Sequence, residues 1–188
     1  MSIIKNAEAT PEPAPDRMLD RVFHDGHRQP VPGEPGQPVT EMPAMPYLTE
    51  AAAGFWLVAH QVSQRSEHER LKNIQAGFPP GWIRAVREAF KLSNERLEAL
   101  FNASASTLER RQRQQQPLDP VASERLDRVA VIATHAMHVL ATPEHACSWM
   151  TSSNAALGDR IPLHLCETEI GARQVRRVLA SLQYGGGV

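Results

Sequence analysis

Nine of the fifteen prolines in this 188-residue chain lie before Tyr47, and that asymmetry limits how much of it can fold. Each proline fixes a backbone dihedral and removes an N–H donor, so a stretch this dense in it sustains neither a helix nor an interior strand. Gly26, Gly33 and Gly36 lie in the same stretch, with four basic residues against seven acidic, a net charge of −3. Too few apolar side chains remain to offset the entropy of ordering it, so residues 1–46 read as a disordered, proline-rich arm. The folded body is then 47–188, with sixteen basic and fourteen acidic residues. That length suits one or two small cores.

After Tyr47 no run alternates apolar with polar residues long enough for a strand, and no Asn-Gly or Asp-Gly turn joins two such runs. The fold class is therefore all-α. Thr49 caps a helix over 50–64 carrying Phe55, Trp56, Val58, Ala59 and Val62, and a polar helix over 66–75 stops at Gly77. Pro79-Pro80 opens a helix over 82–91 with Ile83, Val86 and Phe90 at helical spacing. Ser93 caps a helix carrying Leu97, Leu100 and Phe101, and Asn102-Ala-Ser104 breaks the chain before a helix over 105–114. Ser106-x-x-Glu109 offers that helix a capping box. Asp119-Pro120 opens a long helix over 121–141, with Leu126, Val129, Ala130, Ala133, Met137 and Leu140 on one stripe. Val131, Ile132 and Val139 lie off that stripe, as in a helix at the centre of a bundle. Thr142-Pro143 opens a helix over 145–151, and a loop over 152–161 leads to a short turn at Pro162. Thr168 caps a last helix over 169–183, with Val175, Val178, Leu179 and Leu182 at i, i+3, i+4 and i+7.

Ser93–Gln114 has the spacing of a helix-turn-helix, in which the second helix enters a major groove by its N-terminal end. Leu97, Phe101, Ala103 and Leu108 occupy the slots that pack the two helices together. Glu98 stands where a small residue usually lets them close. Thr107, Arg110, Arg111 and Arg113 are the candidate DNA contacts, since arginine reads guanine bidentately and both residue types bond phosphate. An ordinary helical hairpin with a solvated charged face fits the same pattern. His135, His138, His145, Cys147, His164 and Cys166 suggest zinc by type, but without a Cys-x-x-Cys knuckle they read as unrelated helix residues, so no metal is expected. No phosphate-binding glycine loop, His-Glu-x-x-His or Gly-x-Ser-x-Gly occurs, so neither a cofactor nor enzymatic activity is expected. The start of the chain carries no apolar leader, and no apolar run spans a bilayer, so the expectation is a cytoplasmic protein with two reduced cysteines.

From Leu118 the chain resembles the toxin-binding domain of the Xre/MbcA/ParS antitoxin family. The carrying residues are Leu118-Asp-Pro-Val-Ala-Ser-Glu-Arg-Leu126, Ala146-Cys-Ser-Trp149, Asn154-Ala-Ala-Leu-Gly158, Pro162-Leu163, Thr168-Glu-Ile-Gly171, Val175, Leu179 and Tyr184-Gly185. Upstream, 92–111 resembles the Xre-type helix-turn-helix that precedes that domain, with Leu108-Glu-Arg-Arg111 the most recognisable piece. Asp159 stands where the family often has a second glycine, and His164 and Cys166 replace the usual Asp and Leu. After the 1–46 arm, the chain then divides into a helical region over 47–117 containing the helix-turn-helix and, as the resemblance implies, a toxin-binding domain over 118–188. The resemblance implies as partner a RES-domain toxin that consumes NAD or transfers ADP-ribose, held inactive by occlusion, and operator DNA through which the protein represses its own operon. Arg173, Arg176, Tyr184, Gly185, Gly186, Gly187 and Val188 would then meet the toxin, with Asn154, Leu157 and Gly158 shaping the surface that presents them. A homodimer, or a higher hetero-oligomer with the toxin, is the expected assembly. The arm and the 47–75 helices look like additions serving dimerisation. A stand-alone helix-turn-helix repressor with a partner-sensing C-terminal domain is the alternative reading.

Overall fold

The computed structural model describes residues 48–185, so the expected arm over 1–46 and the tail residues Gly186, Gly187 and Val188 lie outside the described residues. Nine α-helices follow one another among the described residues: α1 (Glu50–Ser63), α2 (Glu67–Ala76), α3 (Gly81–Phe90), α4 (Asn94–Phe101), α5 (Ala105–Arg113), α6 (Pro120–Leu140), α7 (Pro143–Thr151), α8 (Pro162–Leu165) and α9 (Glu169–Gln183). A 3-10 turn, Ala155–Leu157, sits between α7 and α8. The all-α expectation holds, and the one β-like pairing described is an isolated bridge between Asn154 and Arg160. Among the described residues no helix is long and apolar enough to cross a membrane.

Seven of the nine helices begin at a Ser, Thr or Asp whose side chain accepts a hydrogen bond from the first turn: Thr49, Ser66, Ser93, Ser104, Asp119, Thr142 and Thr168. Each oxygen satisfies an N–H that has no partner within its own helix. One expectation moves. The cap of α5 is Ser104, accepting from Thr107 N at 3.3 Å, and Ser106 already lies inside the first turn. A full capping box forms instead at Ser66 and Glu69, where the glutamate accepts from the serine backbone N–H at 2.8 Å.

The core gathers around α6, which packs against α1, α2, α4, α7 and α9. Leu126, Val129, Ala130, Ile132, Ala133 and Ala136 point to different sides of that helix and all are fully buried. This is the arrangement that off-stripe apolar residues call for. Of the 47–75 helices, α1 shares this core. Phe55 and Trp56 are fully buried in the core, and the Phe55 ring meets Trp56, Trp82 and Phe90 edge-on at centroid distances of 5.3, 5.8 and 5.1 Å. An aromatic cluster of this kind adds directional attraction to its large buried area. In contrast, α2 buries none of its residues and is held by charge. Arg70 donates from Nε to Asp127 Oδ1 at 3.1 Å and from Nη2 to Oδ2 at 2.5 Å, a two-pronged pair onto α6.

If α1 belongs to the shared core, Phe55→Ala should cost about 3–5 kcal/mol of unfolding free energy. Denaturant titration of the purified protein measures this directly. A loss below about 1 kcal/mol would mean that α1 does not share the core.

Candidate functional site

The helix-turn-helix forms from α4 and α5, and the elements that close it are polar as well as apolar. Leu97, Phe101 and Leu108 are buried between them with Ala103 packed alongside, so the four expected packing slots come together. Asn102 ends α4 in the left-handed region at φ 53°, a conformation asparagine tolerates better than most residues. Glu98, expected as an obstacle, becomes a connector. Its Oε1 accepts from the Ala105 backbone N–H at 2.5 Å, at the N-terminus of α5 where the helix dipole favours negative charge. From α6, Arg125 donates to the Ala99 carbonyl at 2.8 Å and fixes the end of α4 to the core.

Leu108 is the one buried residue of α5. At about 100° per residue, Ser106, Arg110 and Arg113 fall on the opposite side with Glu109 beside them; all four are exposed. Thr107 is partly buried, with its hydroxyl 2.9 Å from Ser104 Oγ. Arg111 turns back toward the body: its Nη1 donates to the Pro117 carbonyl at 2.5 Å, and its Nη2 lies 3.2 Å from Asp119 Oδ2. Of the four candidate DNA contacts, Arg110 and Arg113 therefore share the outer side, and Arg111 holds the join between α5 and α6. Arg110 and Arg113 form no ion pair among the described residues.

The C-terminal candidates divide in the same way. Asn154 Oδ1 accepts from Ala156 N at 2.9 Å and starts the 3-10 turn, while Leu157 is buried against the core. Gly158 closes the turn at φ 66°, and Asp159 follows at φ 60°. Aspartate is one of the few side chains at ease there, which explains how it replaces a glycine. Gly171 is required by proximity: a Cβ there would lie 2.2 Å from the Leu165 carbonyl oxygen, so α9 can start against α8 only with no side chain. Buried Arg128 of α6 ties that junction down, donating to the Cys166 carbonyl at 2.9 Å and pairing with Glu124 and Glu169. Cys166 is itself fully buried, and burial pushes its thiol up to about 12. His164 lines a shallow cleft with Leu92, Arg96, Leu100, Leu163 and Glu167, where α4 meets α8. Burial, then the Arg96 guanidinium, holds its imidazole below the usual histidine range.

The inner side of α9 buries Gly171, Ala172, Val175 and Leu179. Its outer side presents Arg173, Arg177, Ile170 at 73% exposed and Tyr184 at 83%. Arg176 is partly covered and pairs with Glu169. Gly185 is exposed at φ 67°. Ile170 is a surface residue that the sequence reading did not offer as a contact; the visible signal was an isoleucine in the first turn, off the apolar stripe. The histidines and cysteines go separate ways: His135 faces Gln183, His145 faces the Leu140 carbonyl, and Cys147 donates to the Ala89 carbonyl. Among the described residues no three His, Cys, Asp or Glu side chains converge as a ligand set.

Gly171→Ala should force α9 away from α8 and cost about 1–3 kcal/mol, lowering the thermal midpoint by several degrees. Thermal unfolding checks it, and a variant as stable as the parent would contradict the tight contact.

Comparison with known families divides the chain along its length. Residues 69–131 match the antitoxin Xre-like helix-turn-helix domain, and residues 135–185 match the antitoxin Xre/MbcA/ParS C-terminal toxin-binding domain. No curated protein matches the chain well enough to count as a relative. The two matches span 63 and 51 residues, 114 of the 188 together, and they meet inside α6. Both α4 and α5 fall within the first, and α9 falls within the second. With a DNA-binding helix pair and a toxin-binding domain in that order, the chain belongs to the Xre/MbcA/ParS family of antitoxins.

Proposed function

We propose that this protein neutralises a RES-domain toxin, an enzyme that consumes NAD or transfers ADP-ribose, by occluding its active site, and that it represses its own operon through α5. The observation that carries the toxin part is the outer side of α9. There an amphipathic helix, fully anchored along its inner side, presents Ile170, Arg173, Arg177 and Tyr184 to solvent just before the chain runs into Gly185, Gly186, Gly187 and Val188. Arginine and tyrosine dominate the energetics of protein interfaces, and occlusion asks for buried area and complementary shape rather than catalytic groups. In this reading Arg173, Arg176 and residues 184–188 meet the toxin. Asn154, Leu157 and Gly158 hold the turn that supports α9. On the DNA side Thr107, Arg110 and Arg113 meet the duplex, while Arg111, through Asp119 and Pro117, sets the angle at which α5 is offered. Two copies of the protein would place their α5 helices in successive major grooves, about 34 Å apart.

Co-expression with the cognate toxin tests the first half. NAD should fall, or growth stop, with the toxin alone, and both should recover with this protein, which should co-purify with the toxin. Deleting residues 184–188 should release toxin activity while leaving the thermal midpoint unchanged; full inhibition by the truncated chain would reject the occluding tail. The absence of any toxicity or complex would leave a stand-alone repressor.

For the DNA half, Arg110→Ala should weaken binding and reduce the slope of log affinity against log salt by about one. Arg111→Ala should chiefly lower the thermal midpoint. Equal effects of the two changes on the salt slope would contradict the different placements of these side chains.

A further inference from the structure

One residue on the outer side of α5 runs against what phosphate binding alone would select. Ser106 is neutral and Arg110 and Arg113 are cationic, but Glu109 beside them is an exposed anion. It enters no ion pair among the described residues, even though Arg113 stands at i+4, the spacing at which such pairs form. A duplex carries one negative charge per ~1.7 Å of its axis, so a carboxylate turned toward it is repelled. On a helix that binds only by charge, Glu109 would cost affinity and return nothing. A base edge can offset that cost. In the major groove the cytosine N4 amino group is a donor that a carboxylate accepts from, whereas adenine sets its N6 donor beside the N7 acceptor, which a carboxylate opposes. Glu109 is the fifth of the nine residues of α5, one turn behind the N-terminal end that reaches base edges in this motif. Arg110 is the next residue, and with Arg111 held by Asp119 and Pro117 it is the guanidinium nearest to Glu109 in sequence that remains on the outer side.

We propose that α5 reads a half-site containing G·C pairs, with Glu109 accepting from a cytosine N4 amino group and Arg110 donating to guanine O6 and N7. This rests on the DNA-reading half of the proposed function and adds to it the base identity and the residue that sets it.

The test selects duplexes from a randomised pool with the full-length protein and with Glu109→Gln and Glu109→Ala, at one fixed salt concentration. The unaltered protein should enrich a site with a required cytosine near a required guanine. Glu109→Gln should change the cytosine position to adenine, because glutamine pairs with adenine N6 and N7, altering preference there about tenfold while the guanine stays required. Glu109→Ala should lose the preference at that one position. All three proteins should unfold at the same temperature, since Glu109 is exposed and in no ion pair. Variants that enrich the unaltered site would overturn the proposal. So would a Glu109→Ala protein that binds every duplex more tightly in the same order, for then Glu109 only repels. Failure of the unaltered protein to enrich any sequence would reject operator reading itself, and this proposal with it.

Discussion

A helix buried along most of its surface must bring its charges into the core with it, and the structure turns on how α6 does so. Asp127 and Arg128 are successive residues near the middle of that helix, and both are buried. Because successive side chains leave an α-helix about 100° apart, they face different neighbours. Asp127 takes Arg70 of α2, and Arg128 reaches the Cys166 carbonyl and Glu169 at the start of α9. Buried charges of this kind add little net stability when satisfied, but removing one partner leaves an uncompensated ion, so they fix one arrangement and penalise others. The helix pair within the first family match and the last helix within the second are positioned from this single element.

Much of this was legible in the sequence because it is local. Thr49, Asp119, Thr142 and Thr168 announced their helices by capping chemistry that acts within one turn, and the off-stripe Val131 and Ile132 announced that α6 is central. What stayed hidden depends on residues far apart in the chain. Nothing near Arg70 points to Asp127, 57 positions away. Arg111 looked like its neighbours Arg110 and Arg113 because the loop residues that capture it, Pro117 and Asp119, belong to the following element. Glu98 was read by its size, whereas its charge is what joins it to the first N–H of α5. The burial of α1 was also hidden. Its apolar face was plain, but a face does not say whether it is covered by its own chain or by a second copy.

The DNA-binding and toxin-binding halves touch directly as well as through α6. Along the cleft where α4 meets α8, Arg96 of one half lies near His164 of the other. The helix pair therefore leans on the toxin-binding half and does not hang from a linker.

The unbroken course of α6 has an evolutionary consequence. Proteins that join two functions through a flexible linker can exchange one of them by recombination at that linker, leaving the other intact. Here the boundary between the two family matches falls within a 21-residue helix that contributes to the core on both sides. A crossover at that point must preserve the helical register, the Asp127 and Arg128 pairs and the packing of five neighbouring helices at once. Change in such a lineage is easier to reach by substitutions on exposed helix sides than by exchange of modules.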